Sequence, residues 1–439
     1  MDEEIPVDND AIFYSEDYMS DVWTFFEIKN GIITAIYDKE NIISNEKKKL
    51  FTGLFVIKDC ELFCDCLEKA FNTKNDSMST FYFALYMYSK LKKLTAIKVE
   101  NWFDIGHVDT YYNSKLEVRA REFNHIEIDT NRGLLKKTSE DKEKFIGEIL
   151  WYLKLPTDIE YVRPRIFGYS TTYDNPYIEM EYYAYHTIHE LFLYSDLNYH
   201  QWNDIFRRIK FVINDFERYS VEDHEITSAL EEIYLTKTLK RLEKLRNNVN
   251  FTSFFDNKIV INGIVNHSLS EIMDLLKKII PQTLYDVKKF NIIHGDLCFA
   301  NIMVDNTYSF IKVIDPRGKF GKYDIYGDSR YELAKLFHSV DGKYDFIIKD
   351  LFEVNFDIDK AQINYQINER NRDFDLYKLL LNVFGDKIGD DIKKIELIEA
   401  LLFLSMIPLH EESIKHQMVM LATGINILNR VVDVTVKEI

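Results

Sequence analysis

Residues Asn291 to Gly318 read NIIHGDLCFANIMVDNTYSFIKVIDPRG, and His294, Asp296, Asn301 and Asp315 within them have side chains and spacing suited to metal-assisted group transfer. A carboxylate at Asp296 can position an attacking hydroxyl and accept its proton. Asn301 and Asp315 can offer hard oxygen ligands to Mg²⁺ held against nucleotide phosphates. The runs FNII and FIKVI are apolar and β-branched enough for short buried strands. HGDLCFAN turns at the end of the first and DPRG at the end of the second, which puts both aspartates at strand ends over one cleft.

The surrounding elements must aim these groups. Residues 1–116 alternate strand-like runs (WTFFEIK, GIITAIYD, LFTGLFVI, KLTAIKVE) with helical stretches near 60–71 and 78–92, an α/β pattern. Residues 117–185 hold the strand-like FNHIEID and GLLKKTS, the helical SEDKEKFIGEILWYLKLP, then RIFGYS and YIEMEYYAY, a small mixed lobe. From 186 to 439 the apolar spacing is mostly helical, as in SEIMDLLKKII and IELIEALLFLSMIPLH, with two β-like runs near 290–315. The fold class expected is α+β, a bilobal domain preceded by a partial α/β segment.

The 439 residues, 46% hydrophobic and 14% aromatic, are enough to bury real cores. A formal net charge of −17 repels nucleic acid and anionic membrane surfaces. The acidic start MDEEIPVDND and the absence of a spanning apolar run point to a cytoplasmic protein with no nucleic-acid or membrane partner. Cys60, Cys64 and Cys66 follow C-x3-C-x-C without a paired C-x2-C partner or nearby histidines, so they read as reduced thiols. Cys298 is assigned no chemistry.

HGDLCFAN…VIDPRG resembles the H-x-D-x-x-x-x-N loop and metal aspartate of the aminoglycoside phosphotransferase and choline kinase group, small-molecule relatives of protein kinases. The resemblance implies ATP and Mg²⁺ as cofactors, a small-molecule acceptor, Asp296 as the catalytic base and Asn301 and Asp315 as metal ligands. Glycine stands where protein kinases carry the arginine that reads a phosphorylated activation loop, which favours a small-molecule kinase. DPRG departs from D-F-G at Arg317, and Glu332 in GDSRYELAKLFHS stands where aspartate is commoner. Such a kinase needs a strand lysine and a helix glutamate. Lys136 and Lys137 point to opposite faces of a strand, and the family-like K-x-S pattern favours Lys137. Glu148 flanks the stripe Phe145, Ile149, Leu153 and can reach inward to the lysine. The resemblance gives backbone groups around Glu181 to Tyr183 the adenine. No G-x-G-x-x-G loop precedes the lysine, which keeps open a catalytically weak pseudokinase acting as a scaffold.

YLTKTLKRLEKL and FLSMIPLHEES resemble segments of kinase-like domains in bacterial capsular polysaccharide biosynthesis proteins, and Lys237 and Arg241, at i and i+4, are placed to line an acceptor pocket. KVENWFDIGHVDTYYNSK and FTGLFVI resemble the second half of a sugar-phosphate nucleotidyltransferase, with Asp104 as a metal ligand and Lys39 at the substrate lysine. The Gly-rich nucleotide loop and first metal aspartate of that family are absent. The segment is therefore expected not to transfer nucleotides alone, and its implied partners are a separate nucleotidyltransferase half or a second copy of the chain.

Overall fold

The computed structural model describes residues 9–17, 23–39, 47–73, 78–99, 102, 124–129, 131–432 and 434–435. The chain divides into two units, residues 1–119 and 120–439. In the first, five strands, β1 (Ala11–Asp17), β2 (Phe25–Lys29), β3 (Ile32–Tyr37), β4 (Lys48–Val56) and β5 (Thr95–Lys98), close into a barrel in the order β1-β4-β2-β3-β5. β1 pairs antiparallel with β4 and parallel with β5. Helices α1 (Cys60–Asn72) and α2 (Thr80–Leu91) supply Phe63, Cys66, Leu85 and Tyr88 to a core shared with Ile12, Phe26 and Phe51. Asp59 caps α1 by accepting from the Leu62 amide at 3.2 Å, satisfying one of the orphan donors of the first turn. Cys60 and Cys64 are exposed and Cys66 is buried, on different sides of the same helix. Lys39 sits exposed in a left-handed turn (φ 55°). Asp104 lies outside the described residues.

The second unit opens with an antiparallel sheet of β6 (Asn124–Asp129), β7 (Leu134–Ser139), β8 (Ile166–Ser170) and β9 (Tyr177–Glu181), ordered β6-β7-β9-β8. Between β7 and β8 runs α3 (Lys142–Lys154), capped by Asp141 accepting from the Lys144 amide at 3.3 Å and stopped before Pro156. The spacing of Phe145, Ile149 and Leu153 anticipates one buried stripe. Instead Phe145, Glu148, Ile149, Trp151 and Tyr152 are all buried while Leu153 is partly exposed, because α3 is packed on more than one face.

The remainder is a mainly helical lobe. Its helices include α4 (Tyr199–Glu217), α5 (Lys237–Arg246), α6 (Leu269–Leu284), α7 (Ser329–Val340), α8 (Ile392–Met406) and α9 (Ile414–Val431). No helix of the described residues is long and apolar enough to cross a membrane. The strands of this lobe go beyond the two short runs expected near 290–315. The runs FNII and FIKVI do not share a sheet: Phe290–Ile292 lies between Ser220–Val221 and Tyr326–Gly327, whereas Ile311–Val313 pairs with Ile302–Val304, the strand directly after Asn301. The helical lobe also carries a four-stranded sheet, in which Ile259–Ile261 pairs with Ile264–Asn266 and with Gln362–Ile367, and the latter with Phe352–Asp357. Asn262 (φ 48°) and Gly263 (φ 84°) make the tight turn of its first hairpin, the geometry that Asn-Gly between β-branched residues favours.

Candidate active site

The site is built around a buried lysine. β7 turns Lys137 inward (4% exposed), beneath α3, and Lys136 outward, where it lies 3.8 Å from Glu179. Packing of α3 on one face of β7 thus separates two residues that the chain leaves adjacent. Lys137 Nζ donates to Glu148 Oε1 (2.8 Å) and Oε2 (2.9 Å) and to Asp315 Oδ1 (2.8 Å). Burial pushes the Glu148 carboxyl up to about 7, against the pull of Lys137. The lysine itself is driven up to about 12: its burial works the other way and is outweighed by Asp315 and Glu148 together. Of the two carboxylates on this ammonium, Asp315 is the one that reaches solvent, its side chain 44% exposed. That is the end at which a cation from solvent can arrive.

Two contacts hold the Asp315 loop to α3. Asp315 adopts a left-handed conformation (φ 55°) with its amide donating to the Tyr152 hydroxyl at 3.0 Å. Three residues on, Gly318 (φ 69°) abuts the backbone of Gly147, so closely that a Cβ at Gly318 would lie 2.2 Å from the Gly147 carbonyl carbon. A glycine inside a helix costs about 1 kcal/mol relative to alanine. At Gly147 nothing in the contact requires it, since a Cβ there would come no closer than 3.4 Å, to Gly318 O; the close approach depends on Gly318, and with it the position of Glu148.

The His294–Asn301 loop is fastened from three sides. Trp151 Nε1 donates to Ile293 O (2.6 Å), and the His294 ring packs edge-on against Trp151 with centroids 5.3 Å apart. Burial pushes His294 down to about 4, so it is neutral at pH 7 and has a packing role. Glu332, on α7, accepts from the His294 amide (2.9 Å) and the Gly295 amide (2.8 Å). Asn301 Nδ2 donates to Asp296 O (2.9 Å), which leaves the amide oxygen as its ligand atom. Asp296 is one-third exposed and is paired by Lys335 Nζ at 2.7 Å. Lys335 was not read as a site residue from the sequence, because its burial on α7, where Arg330–Val340 are all buried, is set by packing that the sequence does not record. The arrangement can hold a negatively charged oxygen base beside a hard-cation site.

Glu181 and Tyr183 lie at and just beyond the end of β9, with the Tyr183 hydroxyl donating to Glu181 Oε2 at 2.7 Å. Lys312 stands 5.1 Å from the Tyr183 ring centroid and donates to Tyr161 O and Arg163 O, pinning this crossover between the lobes. Cys298 is buried and its thiol is pushed up to about 12 by that burial. Away from the site, His410, Glu412 and His416 bring potential ligand atoms within 4.8 Å of one another, with Asp350 already 2.8 Å from His416 Nε2.

No family model matches the chain, and no curated protein matches it. Solved structures to which it is similar include aminoglycoside phosphotransferases. The ternary complex of APH(2")-IIa with streptomycin and ATP aligns at 13% identity over 75% of this chain and 97% of that one, with a TM-score of 0.39. ADP-bound APH(2'')-Ib aligns at 12% identity over 72% and 98%, with a TM-score of 0.39. APH(3'')-Id from Streptomyces rimosus aligns at 12% identity over 64% and 90%, with a TM-score of 0.34. At these values the reading of the site rests on its own geometry.

Proposed function

We propose that residues 117–439 form an ATP- and Mg²⁺-dependent phosphotransferase that phosphorylates a hydroxyl of a small molecule. The observation that carries this reading is the convergence of Lys137, Glu148 and Asp315 within 2.9 Å, next to a loop that presents Asp296 and Asn301. The donor set suits Mg²⁺: the Asn301 amide oxygen and the Asp315 carboxylate are hard ligands, and the Asp315 side chain is 44% exposed. Bound there, Mg²⁺ would neutralise phosphate charge during transfer.

The chain's own groups do the rest. Lys137, oriented by Glu148, reaches the ATP phosphates, while the crossover at Glu181 to Tyr183 offers backbone groups to the adenine. Asp296, paired with Lys335, orients the acceptor hydroxyl and takes its proton. Asp296→Asn should abolish phosphoryl transfer and leave the thermal shift with MgATP intact; transfer that survives the substitution ends this assignment.

A catalytically weak pseudokinase acting as scaffold is the second reading, favoured by the missing Gly-rich motif before Lys137. It requires MgATP to produce no turnover with any acceptor. For residues 1–116 we propose a partial nucleotidyltransferase-like segment that complements a separate half or a second copy, within surface polysaccharide precursor synthesis in the cytoplasm. It should release no pyrophosphate from CTP, UTP or GTP with sugar phosphates, and turnover would refute it.

A further inference from the structure

Around Lys237 the cations outnumber the carboxylates. Lys335 holds Asp296 from α7. Arg317 lies against the same loop: its amide donates to His294 O (3.0 Å), and a Cβ at Gly295 would lie 2.9 Å from its own Cβ. The Arg317 guanidinium donates to the Tyr331 hydroxyl at 3.1 Å, and Tyr331 sits one turn before Lys335 on α7. From α5 come Lys237 and Arg241, the latter donating to Ser405 O at 3.2 Å.

The charges that act most strongly on Lys237 are Arg317, Arg241, Lys335 and Asp296, three cations and one carboxylate. Burial and those cations hold its ammonium well below the ordinary lysine range. Among the described residues the Lys237 ammonium has no hydrogen bond or ion pair, and neither Arg241 nor Arg317 has a carboxylate partner. α5 is also entered through a π-wound turn, Glu231–Thr236, closed by the Lys237 amide donating to Glu232 O. Such turns re-aim the residues that follow them and recur at functional sites. Half-buried cations without counter-charge oppose folding unless a ligand supplies the charge.

We propose that Lys237, Arg241, Arg317 and Lys335 form an anion subsite, and that the acceptor is a hydroxyl compound bearing its own phosphate monoester or carboxylate. Two guanidinium forks and two ammonium groups suit such an oxyanion, and they repel amine-bearing acceptors. The role of Asp296 in this statement rests on the phosphotransferase reading; anion binding by the cations does not.

The test has two arms. ADP release at saturating MgATP is measured with glycerol 3-phosphate, sugar phosphates and sugar acids, each beside its neutral parent, and with choline and an aminoglycoside. Turnover in the anionic arm is expected, and phosphate against carboxylate members identify the group. Turnover confined to neutral or cationic acceptors overturns the proposal. In the second arm, inorganic phosphate and glycerol 3-phosphate are titrated in thermal-shift assays with MgADP present, on wild type, Lys237→Met, Lys237→Arg and Arg241→Gln.

Losing one charge-assisted contact should weaken anion binding about tenfold to a hundredfold, with Lys237→Arg retaining most of it. The ATP KM should change by less than about twofold. Lys237→Met should melt no lower than wild type, because it relieves repulsion, which separates lost binding from lost folding. An unshifted wild type, equal shifts in the variants, or an effect that falls on the ATP KM overturns the subsite. If MgATP itself fails to bind, the phosphotransferase reading falls while the anion response remains measurable.

Discussion

Gly318→Ala tests whether α3 and the Asp315 loop are a fixed pair. The new Cβ would stand 2.2 Å from Gly147 C and O and 2.6 Å from Glu148 N, all backbone atoms that cannot swing aside. Ordinary carbon contacts need about 3.5 Å, so the helix and loop must part by about 1.3 Å. The Lys137–Glu148 bonds, now 2.8 and 2.9 Å, would open to about 4 Å, beyond hydrogen-bond geometry. Misplacement on this scale costs on the order of a hundredfold in rate. Overpacking and a non-glycine residue at φ 69° should together lower stability by about 2–4 kcal/mol. The assay is ATP turnover together with melting in the presence and absence of MgATP. Gly147→Ala is the control: its Cβ would meet Gly318 O at 3.4 Å, an ordinary contact, in a helix interior where alanine gains about 1 kcal/mol. It should melt at or above wild type and turn over normally. If Gly318→Ala behaves like Gly147→Ala, the clash is absorbed elsewhere and the contact does not set the position of Glu148.

Stability should fall as pH rises toward neutrality because of two buried carboxyls. Burial holds both Glu148 and Glu332 up at about 7, so the stability they favour is full below their unfolded values near 4.5 and is lost as pH passes 7. For Glu332 the swing is about 3 kcal/mol. Glu332→Gln should therefore flatten the decline in melting temperature between about pH 5 and 7, and an unchanged slope would count against it. Thiol labelling should find Cys60 and Cys64 fast and Cys66 and Cys298 protected until unfolding, read by mass spectrometry. Rapid modification of Cys298 in the folded protein would contradict its burial within the His294–Asn301 loop.

The placement of Asp296 and Asn301 on one loop was legible because it is local. A carboxylate and an amide five residues apart on one tight turn meet the same small volume whatever packs around them. Most strand-like and helical runs of residues 1–185 were legible for a similar reason, since the alternation and helical spacing of apolar residues report their own burial. The hairpin at Asn262 and Gly263 was also written in the chain, as Asn-Gly between β-branched residues, but helical spacing around it masked the signal.

What the tertiary structure decided are the relations between distant segments. Lys136 and Lys137 are alike on paper, and only the packing of α3 over one face of β7 buries the second. Glu148 is one of several acidic residues near α3, singled out by the Gly147–Gly318 contact that seats it beside a loop 170 residues away. The sequence shows Lys237 and Arg241 on one helix face, yet not that Arg317, Lys335 and Asp296 would come close to Lys237. Residue type and local spacing determine which reactions the side chains can perform. Which of them share a low-dielectric cleft, and so perturb one another's charge, is set by close packing of backbones that no local pattern records.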